Sequence, residues 1–289
     1  MQETSTEYVL LTAARNEAAY IEGTLRAVLA QSRKPRRWVI VSDGSTDETD
    51  QIVRNYASQA DFIVFARRDD GSGGVDFARK VQALRHGYGM LEGLSYDFIG
   101  NLDADVTFEA DYFESLLGEF QKHPKLGIAG GMIFEPLNGR FMPRYLSEAQ
   151  YVPGAVQLFR RACFEQVGGY ALSRWGGEDT IAVVTARMKG WQTRSVPGLQ
   201  VFHHKVADVS RGQWRERFRE GVMFHALGSH PLFELLKSIR WMGKAPYVLQ
   251  GAVRLYGYLW AACSGQQRPV SEEFIRYLRR EQLQRIKTA

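Results

Sequence analysis

Short apolar runs alternate with helical segments along the first 120 residues, and this alternation constrains the fold more than any other feature of the sequence. Residues 8–12, 38–42, 62–65 and 97–102 are apolar runs with the length of buried strands. Between them, apolar residues recur every three or four positions, which is the period of an amphipathic helix. Strands separated by helices and short links predict βαβ units. We therefore expect an α/β fold whose mostly parallel sheet is flanked by helices on both faces.

Acidic residues follow three of these predicted strands. Glu17 lies in the loop after the first strand, Asp43 follows the second, and Asp103 and Asp105 follow the fourth. The carboxyl ends of parallel strands meet at one edge of a sheet, where open α/β sheets bind their ligands. Hydrophobic packing gives no reason for acidic residues at these positions. The sequence therefore predicts a polar ligand site at this edge.

Two of these loops suggest specific ligands. Asp103 and Asp105 alternate at a strand end, where two carboxylates can share one divalent cation that also binds phosphate oxygens. The alternative is a solvated acidic turn that caps the next helix, but the strand before the pair and the other acidic loops favour a metal site. Asp43 can accept the ring N–H of uracil. The alternative is a glycine turn followed by a helix cap, which accounts for Gly44 and Ser45 without a ligand. On these residues alone, both explanations stay open.

Six motifs occur along the first two-thirds of the chain. They are Ala-Arg-Asn-Glu at 14–17, Val-Ser-Asp-Gly-Ser-Thr-Asp at 41–47, Asp-Ala-Asp at 103–105, Gly-Ala at 154–155, Arg-Arg-Ala-Cys-Phe to Val-Gly-Gly-Tyr at 160–170, and Gly-Glu-Asp at 177–179. In order and spacing they resemble the signatures of the family 2 glycosyltransferases of GT-A fold. The resemblance implies a GT-A-like, Rossmann-type catalytic domain over residues 1–205. Its nucleotide-binding half would span about 1–106 and its acceptor half 107–205, followed by an extension over 206–289.

The resemblance also implies which residues bind the donor, a nucleotide sugar. The implied donor site comprises Ala14, Asn16, Glu17, Asp43, Lys80 and Asp103. Glu17 and Asp43 would contact the nucleoside, and Lys80 would approach the diphosphate.

A metal site and a general base follow from the same resemblance. Asp103 and Asp105 would bind Mn²⁺ or Mg²⁺, and a histidine completes this site in part of the family. We place His204 there ahead of His203, although the sequence does not fix the register. Asp179 would take the proton of the acceptor hydroxyl. The alternative for Asp179 is an acidic residue in the first turn of a helix, which the helix dipole favours.

These roles predict a metal-dependent, inverting transfer of one sugar, with a UDP-sugar as the expected donor. The expected acceptor is a glycan or lipid-linked glycan in surface polysaccharide synthesis. The Gln-x-x-Arg-Trp signature of processive family members is missing, so we expect a single addition. A nucleotidyltransferase of related fold would carry a glycine-rich phosphate loop after the first strand, where this chain has Ala-Ala-Arg-Asn-Glu. A catalytically silent scaffold would lack Asp105 or Asp179, and both are present.

The C-terminal extension is basic and has helical patterns. From Lys205 onward the chain carries fifteen Lys and Arg against seven Asp and Glu, a net charge of +8. Lys237, Arg240, Lys244 and Arg254 are interleaved with aromatic and aliphatic residues, as in helices that lie in a membrane interface. We expect peripheral contact with an anionic membrane. Packing against the catalytic domain or a second subunit in an oligomer is the alternative.

The remaining expectations follow from three features that the sequence lacks. The sequence has no nucleic-acid fold signature, no apolar stretch of about 18 residues and no basic start followed by an apolar run. We therefore expect no nucleic-acid partner, and a cytoplasmic location on the inner face of the cell membrane.

Overall fold

The computed structural model describes residues 6–69, 77–137, 139–144, 150–205, 213–243 and 247–288. The strands are β1 (Tyr8–Ala14), β2 (Arg37–Asp43), β3 (Ile63–Arg68), β4 (Phe98–Leu102), β5 (Val106–Phe108), β6 (Leu126–Leu137), β7 (Arg140–Pro143), β8 (Val156–Arg160) and β9 (Gln192–His203). The helices are α1 (Ile21–Leu29), α2 (Thr49–Ala57), α3 (Phe77–Gly89), α4 (Tyr112–Lys122), α5 (Arg161–Val167), α6 (Glu178–Met188), α7 (Gln213–Ala226), α8 (Pro231–Met242), α9 (Leu249–Cys263) and α10 (Glu272–Thr288).

Parallel pairing builds the N-terminal half of the sheet. β1 lies between β2 and β4, β3 lies outside β2, and all four strands run parallel. The chain returns from each strand to the next through a helix, as parallel pairing requires. The carboxyl ends of β1, β2 and β4 therefore meet at one edge, in agreement with the predicted alternation.

The second half of the sheet is mixed. β8 runs antiparallel to both β4 and β6, and β7 pairs antiparallel with β6. β9 is parallel to β6 and antiparallel to β5. The described residues between β6 and β8 contain no helix, and antiparallel strands need no helical crossover. The predicted α/β sheet is present, with its parallel part concentrated in the N-terminal strands.

Alternate residues of the central strands point into two separate cores. Tyr8 and Leu10 of β1 join a core beneath α1, α2 and α4, whereas Val9 and Leu11 join a core beneath α3, α5 and α6. A strand with both faces covered reads as a continuous apolar run, which is why this strand was recognisable in the sequence. The two cores pack on opposite faces of the strands whose carboxyl ends carry the acidic loops.

The C-terminal extension packs against the catalytic domain through α6 and α10. Arg187 of α6 donates to both carboxylate oxygens of Glu281 in α10, at 2.8 Å each. A third apolar cluster contains Ile181 of α6 together with Phe274 and Leu278 of α10. Packing on the catalytic domain, the alternative considered for the extension, therefore accounts for α10.

A buried ion pair joins α8 to α9. Arg254 of α9 bonds to Glu234 and to Ser238 of α8, and all three side chains are buried. The expectation that Arg254 lies at a membrane surface is therefore wrong, because its guanidinium neutralises a carboxylate inside the extension. Lys244 lies outside the described residues.

The outer face of α8 is apolar, although its inner face is polar. The exposed residues of this face are Leu232, Leu235, Leu236 and Ile239, at the spacing of one helical stripe. Glu234 and Ser238 point inward to Arg254. Within the described residues, no helix combines the length and apolarity needed to cross a bilayer.

Close backbone contact between α7 and α9 predicts a large effect of one methyl group. A Cβ added at Gly257 of α9 would lie 2.1 Å from the carbonyl oxygen of Phe218 in α7. We expect Gly257→Ala to lower the free energy of unfolding by about 2 kcal/mol or more, measured by urea denaturation. Gly118→Ala in α4 is the matched control, because a Cβ there meets nothing within 4 Å. The control should gain about 0.5–1 kcal/mol from helix propensity. Equal effects of the two changes would contradict this packing.

Candidate active site

The loop after β1 is fixed by the loop after β2. Asn16 has a φ of +54°, in the left-handed region that asparagine tolerates better than most residues. Its Oδ1 accepts the main-chain N–H of Thr46 at 2.8 Å, and its own N–H donates to Ser45 Oγ at 3.2 Å. Asn16 thus holds the two loops together. The side chain of Ala14 is buried in the core, so only its main chain can contact a ligand.

Asp43 lies between two arginines that sequence reasoning did not identify. Arg68 Nη1 is 2.6 Å from Asp43 Oδ1, and Arg79 Nε is 2.8 Å from Asp43 Oδ2. Asp43 is almost fully buried, and the two cations compensate its charge in that environment. Each carboxylate oxygen can accept a further hydrogen bond, so Asp43 remains able to receive an N–H donor from a ligand.

Lys80 lies between the strand-end aspartates and the start of α6. Its Nζ is 2.7 Å from Asp103 Oδ1 and 4.0 Å from Glu178 Oε1. Burial opposes the charge of Lys80, but these two carboxylates outweigh burial and raise its pKa. Burial also raises the pKa of Asp103, and Lys80 opposes that shift. Lys80 is a fixed cation between the predicted donor site and the predicted base.

The adjacent histidines point to different partners. His203 Nε2 is 3.1 Å from Asp105 Oδ2, whereas His204 Nε2 is 2.7 Å from Thr107 Oγ1. The structure thus pairs His203, and not the favoured His204, with Asp105. Burial lowers the pKa of His203, but the nearby carboxylates of Asp105 and Glu135 prevail and raise it to about 10. Burial raises the pKa of Asp105, and the hydrogen bond from His203 reverses that shift.

Glu17 is paired with a lysine from the far end of the catalytic domain. Lys205 Nζ lies 2.6 Å from Glu17 Oε1, while Glu17 Oε2 is buried without a hydrogen-bond partner. Burial raises the pKa of Glu17, and the charges of Asp103 and Asp105 raise it further. The ion pair with Lys205 opposes these shifts. Glu17 is therefore in electrostatic range of both strand-end aspartates.

Asp179 is held in the first turn of α6 by neutral donors. Tyr151 OH donates to Asp179 Oδ2 at 2.9 Å, and the N–H of Gly154 donates to the same oxygen at 3.1 Å. Thr180 N–H donates to Oδ1 at 2.6 Å. A Cβ at Gly154 would lie 3.1 Å from the carboxylate, so a glycine gives Asp179 room to approach the main chain.

The segment that contains Gly154 also contacts the strand-end aspartates. The carbonyl of Gly154 accepts from Asn101 Nδ2, and the carbonyl of Ala155 accepts the N–H of Asp103 at 2.8 Å. Two consecutive residues thus bond to the end of β4 on one side and to Asp179 on the other. The distance between the predicted donor site and the predicted base is fixed by main-chain hydrogen bonds.

The side chains around Asp105 have the chemistry of a divalent-cation site. In the part of the chain that the structure describes, no three His, Cys, Asp or Glu side chains converge as a metal site. Mg²⁺ in phosphate-transfer sites is commonly held by one or two carboxylates plus phosphate oxygens. Asp103 and Asp105 supply such carboxylates, and the buried Asn101 Oδ1 lacks a hydrogen-bond partner beside them. These residues fit a cation that binds together with a diphosphate.

Most of the residues predicted from sequence lie around this one edge. The negative charges of Asp103, Glu178 and Asp179 all act on Lys80. Asp43 lies at the end of β2. The site also contains side chains that no motif indicated, namely Arg68, Arg79, Tyr151, Lys205 and Glu178 in its contact with Lys80. Only the pairing of β2 with β3 brings Arg68 opposite Asp43.

Comparison with known proteins identifies the family. The model of glycosyl transferase family 2 matches residues 10–175, more than half of the chain. Poly-beta-1,6-N-acetyl-D-glucosamine synthase of Staphylococcus aureus (strain COL) is 25% identical over an alignment of 248 residues that covers 80% of this chain and 57% of that protein. The synthase of Staphylococcus epidermidis is 31% identical over 121 residues, 42% of this chain and 27% of that protein. The chain thus spans little more than half of the S. aureus relative.

Solved structures share the fold at low sequence identity. The mannosyltransferase PcManGT from Pyrobaculum calidifontis, in complex with GDP-Man and Mn²⁺, has a TM-score of 0.55 at 17% identity, over 89% of this chain and 73% of that one. S. aureus TarS 1-349 in complex with UDP-GlcNAc has a TM-score of 0.53 at 16% identity, over 90% of this chain and 73% of that one. With the family match, this likeness shows that the chain belongs to glycosyl transferase family 2 and is a glycosyltransferase of GT-A fold.

Proposed function

We propose that this glycosyltransferase moves one sugar from a UDP-sugar to a hydroxyl of a lipid-linked glycan, with inversion and with a divalent cation. The observation that carries this proposal is the link between Asp103 and Asp179. Lys80 lies between the carboxylates of Asp103 and Glu178, and residues 154–155 bond to both Asp103 and Asp179. A donor diphosphate and an acceptor hydroxyl need such a fixed separation for attack in one step.

The nucleoside would bind at the ends of β1 and β2. Asp43, oriented by Arg68 and Arg79, would accept the ring N–H of uracil, and Glu17 would contact the nucleoside from the loop after β1. Similar structures contain either UDP-GlcNAc or GDP-Man, so the fold itself does not select the base. The ring N–H of guanine would suit the carboxylate of Asp43 as well as that of uracil, so we propose UDP by analogy with TarS, which was solved with UDP-GlcNAc.

The leaving group would be stabilised from two sides. Asp103 and Asp105 would hold Mn²⁺ or Mg²⁺, with His203 better placed than His204 to complete the site. The cation supplies positive charge to the diphosphate. Lys80 would contribute a second positive charge from α3.

Asp179 would act as the general base of the transfer. The acceptor oxygen forms a bond to the anomeric carbon as the bond from that carbon to the diphosphate oxygen breaks, and the hydroxyl proton passes to the carboxylate of Asp179. Tyr151 and Gly154 would orient this carboxylate. A nucleotidyltransferase needs no such base for an acceptor hydroxyl, and a silent scaffold needs neither Asp105 nor Asp179.

The extension would bring the enzyme to the inner face of an anionic membrane. Helix α8 exposes Leu232, Leu236 and Ile239 and turns its ion pair inward, which is the reverse of a helix surrounded by water. The acyl boundary of a membrane would accommodate these exposed apolar side chains. The net charge of +8 from residue 205 onward favours an anionic surface over a neutral one. In this proposal, residues 1–205 form the catalytic domain and residues 206–289 form the extension.

The names of the relatives suggest the first substrates to test. The curated relatives are synthases of poly-beta-1,6-N-acetyl-D-glucosamine, and TarS was solved with UDP-GlcNAc. We therefore propose UDP-GlcNAc as donor and a β-1,6-linked N-acetylglucosamine oligosaccharide as soluble acceptor.

Metal dependence is tested by chelation and by Asp105→Asn. Excess EDTA should abolish transfer, and Mn²⁺ or Mg²⁺ should restore it. Asp105 is almost fully buried, and Asn was chosen because it has nearly the same volume. Loss of the negative charge should lower activity on the order of 10²-fold. In thermal-shift measurements, Mn²⁺ should increase the stabilisation by UDP in the parent chain and in the exposed control Asp61→Asn, but not in Asp105→Asn. Full activity in excess EDTA would refute the metal site.

The base is tested by Asp179→Asn, which keeps the size of the side chain but removes the proton acceptor. We expect kcat to fall by a factor on the order of 10² to 10⁴ with little change in KM for the donor. Asp111→Asn, an exposed change outside the site, is the control. Retention of turnover in Asp179→Asn, with loss in Glu178→Gln, would transfer the role to Glu178.

Membrane contact is tested by sedimentation with liposomes. The chain should sediment with anionic vesicles at low salt, less at high salt, and weakly with zwitterionic vesicles. Leu236→Glu with Ile239→Glu should release it without loss of transfer to the soluble oligosaccharide, because both residues are exposed on α8. Leu283→Glu on α10 is the exposed control. A dimer in light scattering that the double change dissociates, with no vesicle binding, would identify a second copy as the partner instead.

A further inference from the structure

A cleft separates the loop before α6 from the segment between α9 and α10. Residues 172–175 form one wall and residues 264–269 contribute the other, around a volume of about 450 Å³. This volume is in the range of sites that bind small ligands. The second wall belongs entirely to the C-terminal extension.

The cleft lies at the end of α6 that carries Asp179. Arg187 of α6 pairs with Glu281 of α10, and Ile181 lies in one cluster with Phe274. These contacts fit only helices that run side by side in the same direction, so the starts of α6 and α10 lie together. Trp175 precedes Asp179 by four residues, and four residues of chain span at most about 14 Å. A ligand in the cleft is therefore close to the proposed base.

The loop that forms the first wall is held in place. Gly176 and Gly177 both have positive φ, at +87° and +84°, and Ser173 Oγ donates to the carbonyl of Gly176 at 2.7 Å. A Cβ at Gly177 would lie 3.2 Å from Leu227, just after α7, so the extension also supports this loop. The wall is preformed, which lowers the entropic cost of binding.

The lining combines the ring of Trp175 with polar side chains, the cation of Arg174 and the apolar Leu172 and Pro269. Trp175 is partly exposed, with the guanidinium of Arg174 5.5 Å from its ring centroid, and Gln266 and Gln267 face it from the other wall. None of the described residues that line the cleft is acidic. A sugar offers apolar C–H faces to an aromatic ring and hydroxyls to amides, whereas a lipid chain would need an apolar lining.

We propose that this cleft binds the sugar residues of the acceptor that precede the reacting hydroxyl. The inference rests on the proposed transfer and adds to it that the C-terminal extension contributes directly to acceptor recognition. The acceptor would enter between α10 and the loop before α6, with its terminal sugar at Asp179. Donor binding at the ends of β1, β2 and β4 would not depend on the cleft.

The test measures binding of a β-1,6-linked N-acetylglucosamine tetramer by calorimetry, with UDP and Mn²⁺ present. The parent chain should bind the tetramer saturably, and Gln266→Ala with Gln267→Ala should weaken that binding at least 10-fold. Both glutamines lie on a surface segment, so the fold should persist. Trp175→Ala should have the same effect, while Gln51→Ala with Gln59→Ala, two exposed residues at α2, should have none.

Two further measurements separate this inference from the proposed function. The cleft variants should bind UDP and Mn²⁺ and hydrolyse UDP-GlcNAc slowly as the parent does. Absence of UDP binding by the parent would refute the proposed transfer, whatever the tetramer does. Absence of saturable tetramer binding by the parent, or equal binding by the cleft variants, would overturn the acceptor cleft alone.

Discussion

Acidic side chains crowd one edge of the sheet, and the site depends on each donor-side carboxylate facing a cation of its own. The pairs are Glu17 with Lys205, Asp43 with Arg68 and Arg79, Asp103 with Lys80, and Asp105 with His203. A buried carboxylate without such a partner costs several kcal/mol. The cations come from β3, α3 and the end of β9, so the edge is electrostatically complete only when both halves of the sheet are folded.

Asp179 is held differently from these four carboxylates. Its hydrogen bonds come from Tyr151, Gly154 and Thr180, which carry no charge. These neutral donors fix the position of the carboxylate, and none of them forms a direct ion pair with it. This difference supports the proposed division of roles, in which the paired carboxylates organise the donor and Asp179 receives the proton.

Local patterns predicted the strands and their acidic ends, but not the partners of those acids. Arg68 is 25 residues from Asp43, and Lys205 is 188 residues from Glu17, so only tertiary pairing joins them. The histidines show the same limit. His203 pairs with Val106 across β5 and β9, and a shift of one residue would turn His204 toward Asp105 instead. The sequence likewise showed basic residues interleaved with apolar ones in the extension, without showing that Arg254 lies buried behind α8.

The contacts between α6 and the extension link the proposed acceptor site to a part of the chain outside the family match. The family match ends at residue 175, four residues before Asp179, and the whole extension lies beyond it. The carboxylates of the proposed donor site therefore fall in the matched region, whereas α7 and α10 support the proposed base and its preceding loop from outside that region. Variation in the extension could alter the acceptor site without disturbing the ion pairs of the donor edge. With the proposed acceptor cleft, changes at 264–269 and 172–175 of this chain should alter the choice of acceptor and leave nucleotide binding unchanged.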